Sequence, residues 1–308
     1  MTGPPGRGQG PTPTLWYNIK EIVMRSLRSS LIVMMMTLFC FSGCAKEETP
    51  TEISWFDDFE MGQETAERLG QNMVVDFYTD WCKWCKVLDD SVYTDPKIIE
   101  MSTEMIFVKI DSEKDTLNTR NYGISGYPTV VLMNPAGEEI DRIYGYLPAP
   151  DFINQINLYL GGTETLQDYL RRLEANPNDL EVNYTLAEKY EARSQYEKSA
   201  SFYSKVLELD PQNEAGKSDK ALMNLGFSYY RQKKFQRAID TNTEFIKRYP
   251  DSELKEDVIV YIPYFYAEWG RKERALKLYN QYLRTYPEGE NVEWVNNEIK
   301  KLTEKEKP

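Results

Sequence analysis

The stretch Met73-Val-Val-Asp-Phe-Tyr-Thr-Asp-Trp-Cys-Lys-Trp-Cys-Lys-Val-Leu88 decides the fold. Its first half, Met73 to Thr79, is β-rich and mostly apolar, the composition of a central strand buried on both faces. It runs directly into Asp80-Trp-Cys, where a helix is expected to begin at Cys82, with Cys85 one turn inside it. Unpaired N–H groups and the helix dipole at that terminus would stabilise a thiolate on Cys82. The i, i+3 spacing would let Cys85 reach a mixed disulfide made by Cys82. Zinc ribbons use the C-x-x-C pair too. Here there is no second C-x-x-C and no histidine in the chain, so zinc would lack two ligands. No metal and no cofactor is expected.

Working outward, Ile106-Phe-Val-Lys-Ile-Asp111 reads as a second apolar strand. Tyr122-Gly-Ile-Ser-Gly-Tyr-Pro-Thr-Val-Val-Leu132 is a Gly/Pro loop running into a third. Gly137 to Gly145 reads as a hairpin strand, and Ala149–Leu160 as a closing helix. Together with Trp81-Cys82-x-x-Cys85 these segments resemble the thioredoxin superfamily. The Asp80-Trp-Cys motif and Tyr93-Thr-Asp-Pro96 are similar to the C-terminal domain of the disulfide reductase DsbD and to small periplasmic thioredoxins of that kind. The resemblance implies an α/β thioredoxin fold over residues 55–161, a central mixed sheet with helices on both faces. It implies that Cys82 is the nucleophile and Cys85 the resolving thiol of a redox-active disulfide. It makes Pro128 the proline of a cis-proline loop, which with Tyr127 and Trp81 positions the substrate. Asp76 matches the buried acid that relays a proton as Cys85 attacks, and Lys109 the lysine that partners it. Lys83-Trp84 between the cysteines is neither the pair found in thioredoxin nor the His-containing pair of the oxidant DsbA, which favours a reductase or isomerase direction.

Residues 164–308 carry a different pattern. Proline recurs at 177, 211, 250 and 287, each after a helical run. A period near 34 residues ending in Pro resembles tetratricopeptide repeats, with Leu186, Tyr190 and Tyr203, then Leu222, Gly226 and Phe245, then Ile259, Tyr266 and Tyr279 at pattern positions. Asn242 replaces an expected aromatic, and Pro263 sits mid-helix, where a kink is expected. The helix before Pro177 is expected to cap an all-α solenoid. Such arrays normally bind protein segments and carry no chemistry.

The N-terminal 43 residues read as a leader. Arg25 and Arg28 precede an apolar run, Leu31 to Phe41, that is too short to span a bilayer and has the length of a signal-peptide core. Phe41-Ser-Gly-Cys44 resembles a bacterial lipobox, which implies lipidation at Cys44, a tether over 44–54 and a membrane anchor; the true start is Met1 or Met24. Ala45 favours the outer membrane in a periplasm-facing lipoprotein. Cys40 goes with the leader, which leaves Cys82 and Cys85 as the free pair. A charge of −12 over 308 residues argues against nucleic acid as a partner. The absence of His excludes a Ser/His/Asp or Cys/His catalytic unit. The expected activity is protein thiol–disulfide exchange with disulfide-bearing clients, the repeats docking a client or partner. The alternative is a scaffold lipoprotein in which both folds are binding modules.

Overall fold

In the computed structural model, residues 50–304 are described; the expectations for the leader, Cys40 and Cys44 lie outside them. These described residues belong to one compact unit. The first part is a five-stranded sheet in the order β1-β3-β2-β4-β5, with β1 Trp55–Phe56, β2 Met73–Tyr78, β3 Ile106–Asp111, β4 Thr129–Met133 and β5 Glu139–Tyr144. The first three strands are parallel, and β4 and β5 run antiparallel. Strands β2 and β4 lie at the centre, and every residue of Met73–Phe77 and Thr129–Met133 is buried, as their mostly apolar text requires, with Asp76 and Thr129 the polar exceptions.

Helices cover both faces: α1 Phe59–Leu69, α2 Lys83–Ser91, α3 Pro96–Met101, α4 Thr116–Asn121 and α5 Ala149–Leu160. Alternation along β2 sends Val74 into one core, with Leu88, Tyr93, Phe107 and Phe152. It sends Val75 and Phe77 into the other, with Phe59, Val108 and Ile110. Asp76 therefore shares the face of Val74 and lies on the α2 side.

The remainder is helical: α6 Leu166–Ala175, α7 Leu180–Glu191, α8 Tyr196–Leu209, α9 Ser218–Arg231, α10 Phe235–Arg248, α11 Lys255–Glu268, α12 Lys272–Thr285 and α13 Val292–Glu304. The residue before each periodic proline (Asn176, Asp210, Tyr249, Tyr286) leaves the helix for φ near −130° and positive ψ, because the proline ring crowds its neighbour out of the helical region. Each helix pair turns on one left-handed residue, Ser194, Lys233 or Gly270. Tyr203, Phe245 and Tyr279 are fully buried between helices. Helical structure in α11 continues through Pro263. Helix α13 follows the last proline and packs Val295 against Tyr279 and Tyr282. Among the described residues, no helix is long and apolar enough to cross a membrane.

Candidate redox site

Cys82 is the N-cap of α2, and Cys85 lies in its first turn. The two are joined as a disulfide, and the Cys85 amide donates to Cys82 Sγ at 3.0 Å. No acidic residue sits in that first turn, so the partial positive charge of the helix end is left for the Cys82 sulfur. Both sulfurs lie in nearly buried residues, yet the rim around them is open. Trp81 and Trp84 are 67% and 55% exposed. Trp81 meets the edge of Tyr127 at 5.7 Å and donates from Nε1 to Glu113. Trp84 stacks on Tyr146. Two ring pairs, built on the residues that precede each cysteine, thus put aromatic surface beside the C-x-x-C segment, the composition expected of a protein-binding rim. The Tyr127–Pro128 peptide is cis and lies just ahead of β4, outside its ladder with β2. The structure therefore brings Trp81, Tyr127, Cys82 and Cys85 together where β2 ends and β4 begins, at one end of the central strands.

Asp76 is fully buried beneath α2. The buried Tyr93 hydroxyl is its hydrogen-bonding neighbour, and among the described residues no other group bonds to either carboxyl oxygen. Burial dominates its titration and pushes its pKa up to about 7. Lys109 pulls the value down, and Asp89 pushes it further up. Lys109 is the register partner of Asp76 in the β2/β3 ladder, and its Nζ lies 3.8 Å from Asp76. It does not bond there. The hydrogen bond goes to Asp89 on α2, and the rings of Trp55, Tyr78 and Tyr93 stand 5.2–5.4 Å from the ammonium. Asp89 is a residue that sequence reasoning missed. In Leu88-Asp-Asp-Ser91 it reads as part of a solvated helix face, and only the crossing of α2 over β3 makes it a neighbour of the buried acid.

Comparison with known proteins places this geometry. A thioredoxin-like domain model matches residues 59–159, and a tetratricopeptide-repeat model matches residues 220–252. Residues 59–159 are a thioredoxin-like domain. The thiol:disulfide interchange protein DsbD of Actinobacillus pleuropneumoniae is 25% identical over 104 residues, covering 32% of this chain and 18% of that protein. DsbD of Salmonella typhimurium is 26% identical over 148 residues, covering 44% of this chain and 25% of that one. The chloroplastic thioredoxin-like protein HCF164 of Arabidopsis thaliana is 25% identical over 103 residues, covering 33% and 40%. The chain thus spans a quarter or less of the length of these two DsbD relatives. Among solved structures, the DsbH oxidoreductase aligns with a TM-score of 0.34 at 15% identity, covering 39% of this chain and 92% of its own. The thioredoxin-like segment is thus related to disulfide oxidoreductases and is followed by tetratricopeptide-type helices.

Proposed function

We propose that the chain is a thiol–disulfide oxidoreductase of a bacterial envelope, working in the reductase or isomerase direction on protein clients. The observation that carries this is the placement of Cys82 as the N-cap of α2, bonded to Cys85 above a buried carboxyl whose pKa lies near 7. In the reducing direction the Cys82 thiolate attacks one sulfur of a client disulfide. A mixed disulfide forms and the client's other sulfur leaves as a thiolate. Cys85 then attacks Cys82 Sγ, the second client thiolate departs, and the Cys82–Cys85 bond closes. Asp76 takes the proton that Cys85 must lose, a transfer suited to a group poised near ambient pH. The client ends two electrons reduced and the domain two electrons oxidised; a donor dithiol restores it. Trp81, Tyr127 and Pro128 hold the client segment against the sulfurs.

The domain division at about residue 161 would separate this chemistry from docking. A cavity of about 620 Å³ between α11 and α13, lined in part by Tyr261, Tyr264 and Trp294, offers one place for a protein partner on the repeats. Lipidation of Cys44 would tether the whole to a membrane facing the periplasm. The test is the Cys85→Ser variant expressed in an envelope. Mixed disulfides to Cys82 should accumulate, separable on non-reducing gels and abolished by adding Cys82→Ser. If no client is trapped on Cys82, the proposal fails.

A further inference from the structure

The loop that leads into Pro128 is not held by its own domain alone. Its first residues rest on the turn between α7 and α8 in the first helix pair of the repeats. Ser194, at φ 57° in that turn, donates from Oγ to the Gly123 carbonyl at 2.9 Å. Tyr196 donates its hydroxyl to Ser194 Oγ at 3.2 Å, which commits the Ser194 proton to Gly123. The two backbones approach so closely that a Cβ on Gly123 would lie 2.7 Å from the Arg193 carbonyl oxygen. Gly123 also has φ +61°, so glycine serves both conformation and contact there. One residue earlier, Arg142 spans the joint, donating to the Tyr122 carbonyl at 2.8 Å and to the Ala192 carbonyl, at the end of α7, at 2.9 Å.

The far end of the loop is tied to β5. Gly145 donates its amide to the Pro128 carbonyl at 2.9 Å, and Thr129 Oγ1 donates to the Gly126 carbonyl at 2.8 Å. Between the two ends, the Tyr144 hydroxyl sits against Gly126 so tightly that a Cβ there would be 2.1 Å away. That same ring has Glu191, Tyr196 and Arg231 of the repeats as its electrostatic neighbours. The segment from Tyr122 to Thr129 is thus clamped between β5 and the repeats.

We infer that the α7–α8 turn is a positioning element for the substrate loop. By ordering Tyr122–Thr129 before a client arrives, Ser194 and its neighbours spare the client the entropic cost of ordering it. This rests on the reading above that the Tyr127–Pro128 segment holds the client. It gives the repeats a role in the exchange reaction that is separate from any docking on their groove. A protein disulfide, which must lie along the loop, depends on this support. A small disulfide that meets only Cys82 does not.

The test uses the full chain with Ser194→Ala and, as a milder variant that removes only the orienting donor, Tyr196→Phe. Two substrates are compared for the reduced protein: insulin, and the small aryl disulfide dithiobis-nitrobenzoate. Ser194→Ala should lower kcat/KM for insulin roughly three- to tenfold, mostly through KM. The rate with the aryl disulfide should stay unchanged, and Tyr196→Phe should shift insulin the same way by less. Amide hydrogen exchange over residues 122–129 should speed up in Ser194→Ala, with β2 and β3 unaffected. The inference is overturned if exchange in the loop is unchanged. It is also overturned if the loop loosens without loss on insulin, or if both substrates slow equally. If the wild type reduces neither substrate, it is the oxidoreductase reading that falls, and the exchange data still decide whether the turn orders the loop.

Discussion

Lys109 has two carboxylates within reach and gives its hydrogen bond to the outer one, Asp89, while standing 3.8 Å from the buried one, Asp76. Asp89 thus acts on Asp76 twice: its charge raises the Asp76 pKa directly, and it holds the cation that would lower it. Asp89→Asn should move the Asp76 titration to lower pH, and Lys109→Met should move it higher, each by roughly one pH unit. The pH dependence of client oxidation of the reduced protein reads both shifts; movement in the same direction would show that the lysine is not shared between the two acids. A stability consequence follows from the raised pKa. The unfolded carboxyl sheds its proton near 3.8 and the folded one near 7, so between these values the folded chain binds more protons. Stability from this site is therefore lost as pH rises through that window. Asp76→Asn removes the penalty. In urea melts of the oxidised protein the variant should gain on wild type from pH 4 to pH 8, by roughly 4 kcal/mol at most.

At the scale of elements, Asn242 shows a repeat accommodating a residue that departs from its pattern. Its side chain is fully buried in α10, and its amide atoms have no hydrogen-bond partner among the described residues. It fits because α9 presents Gly226, where a Cβ would come 2.1 Å from Asn242 Oδ1. Gly226→Ala should destabilise the repeats by about 1–3 kcal/mol through overpacking. Asn242→Ala in the same chain should recover most of that loss, and a double-mutant cycle on thermal melts measures the coupling. Both positions stood out in the sequence, but only the helix pairing shows that they face each other. The same division holds more widely. Strand Ile106–Asp111 and helix Ala149–Leu160 were legible to the residue, the strand as a short apolar run and the helix because Pro148 and Gly161 mark its two ends. Strand β1, two residues long, carries too little pattern to read, and α13 lies beyond the proline period. Within the site, the cysteines and the Gly/Pro loop were readable from local spacing. The Asp76–Lys109 pair came only through the family resemblance, and the place of Asp89 beside it and the Gly123–Ser194 joint were not readable, since they depend on segments 13 to 71 residues apart meeting in space.

Across the whole molecule, the thioredoxin-like sheet and the repeats meet through buried charge. Asp141 on β5 is 0% exposed. It pairs with Lys189 at 2.9 Å and Arg193 at 2.7 Å, both in the first helix pair of the repeats, and Arg193 also reaches Glu139. Burial alone would raise the Asp141 pKa, but the two cations outweigh it and hold the carboxyl below the ordinary range. The sign is opposite to that of Asp76: this pairing stabilises the fold above the ordinary carboxylate pKa and is lost only as pH falls through the lower folded value. Such a cluster contributes little as a net attraction, because desolvation offsets the Coulomb energy, but it is costly to break from one side. Asp141→Asn would leave Lys189 and Arg193 near each other, with Glu164 acting on the lysine and Glu139, which Arg142 already shares, on the arginine. We expect it to destabilise the joint by roughly 3–5 kcal/mol at neutral pH and to separate calorimetric unfolding into two transitions, one for the sheet and one for the repeats. In the wild type the two should melt together at pH 7 and come apart only in acid, below the ordinary carboxylate range, as Asp141 takes up its proton. Two transitions already present at pH 7 in the wild type would mean that the charges do not join the halves, and the support they lend to the Gly123–Ser194 contact would go with them.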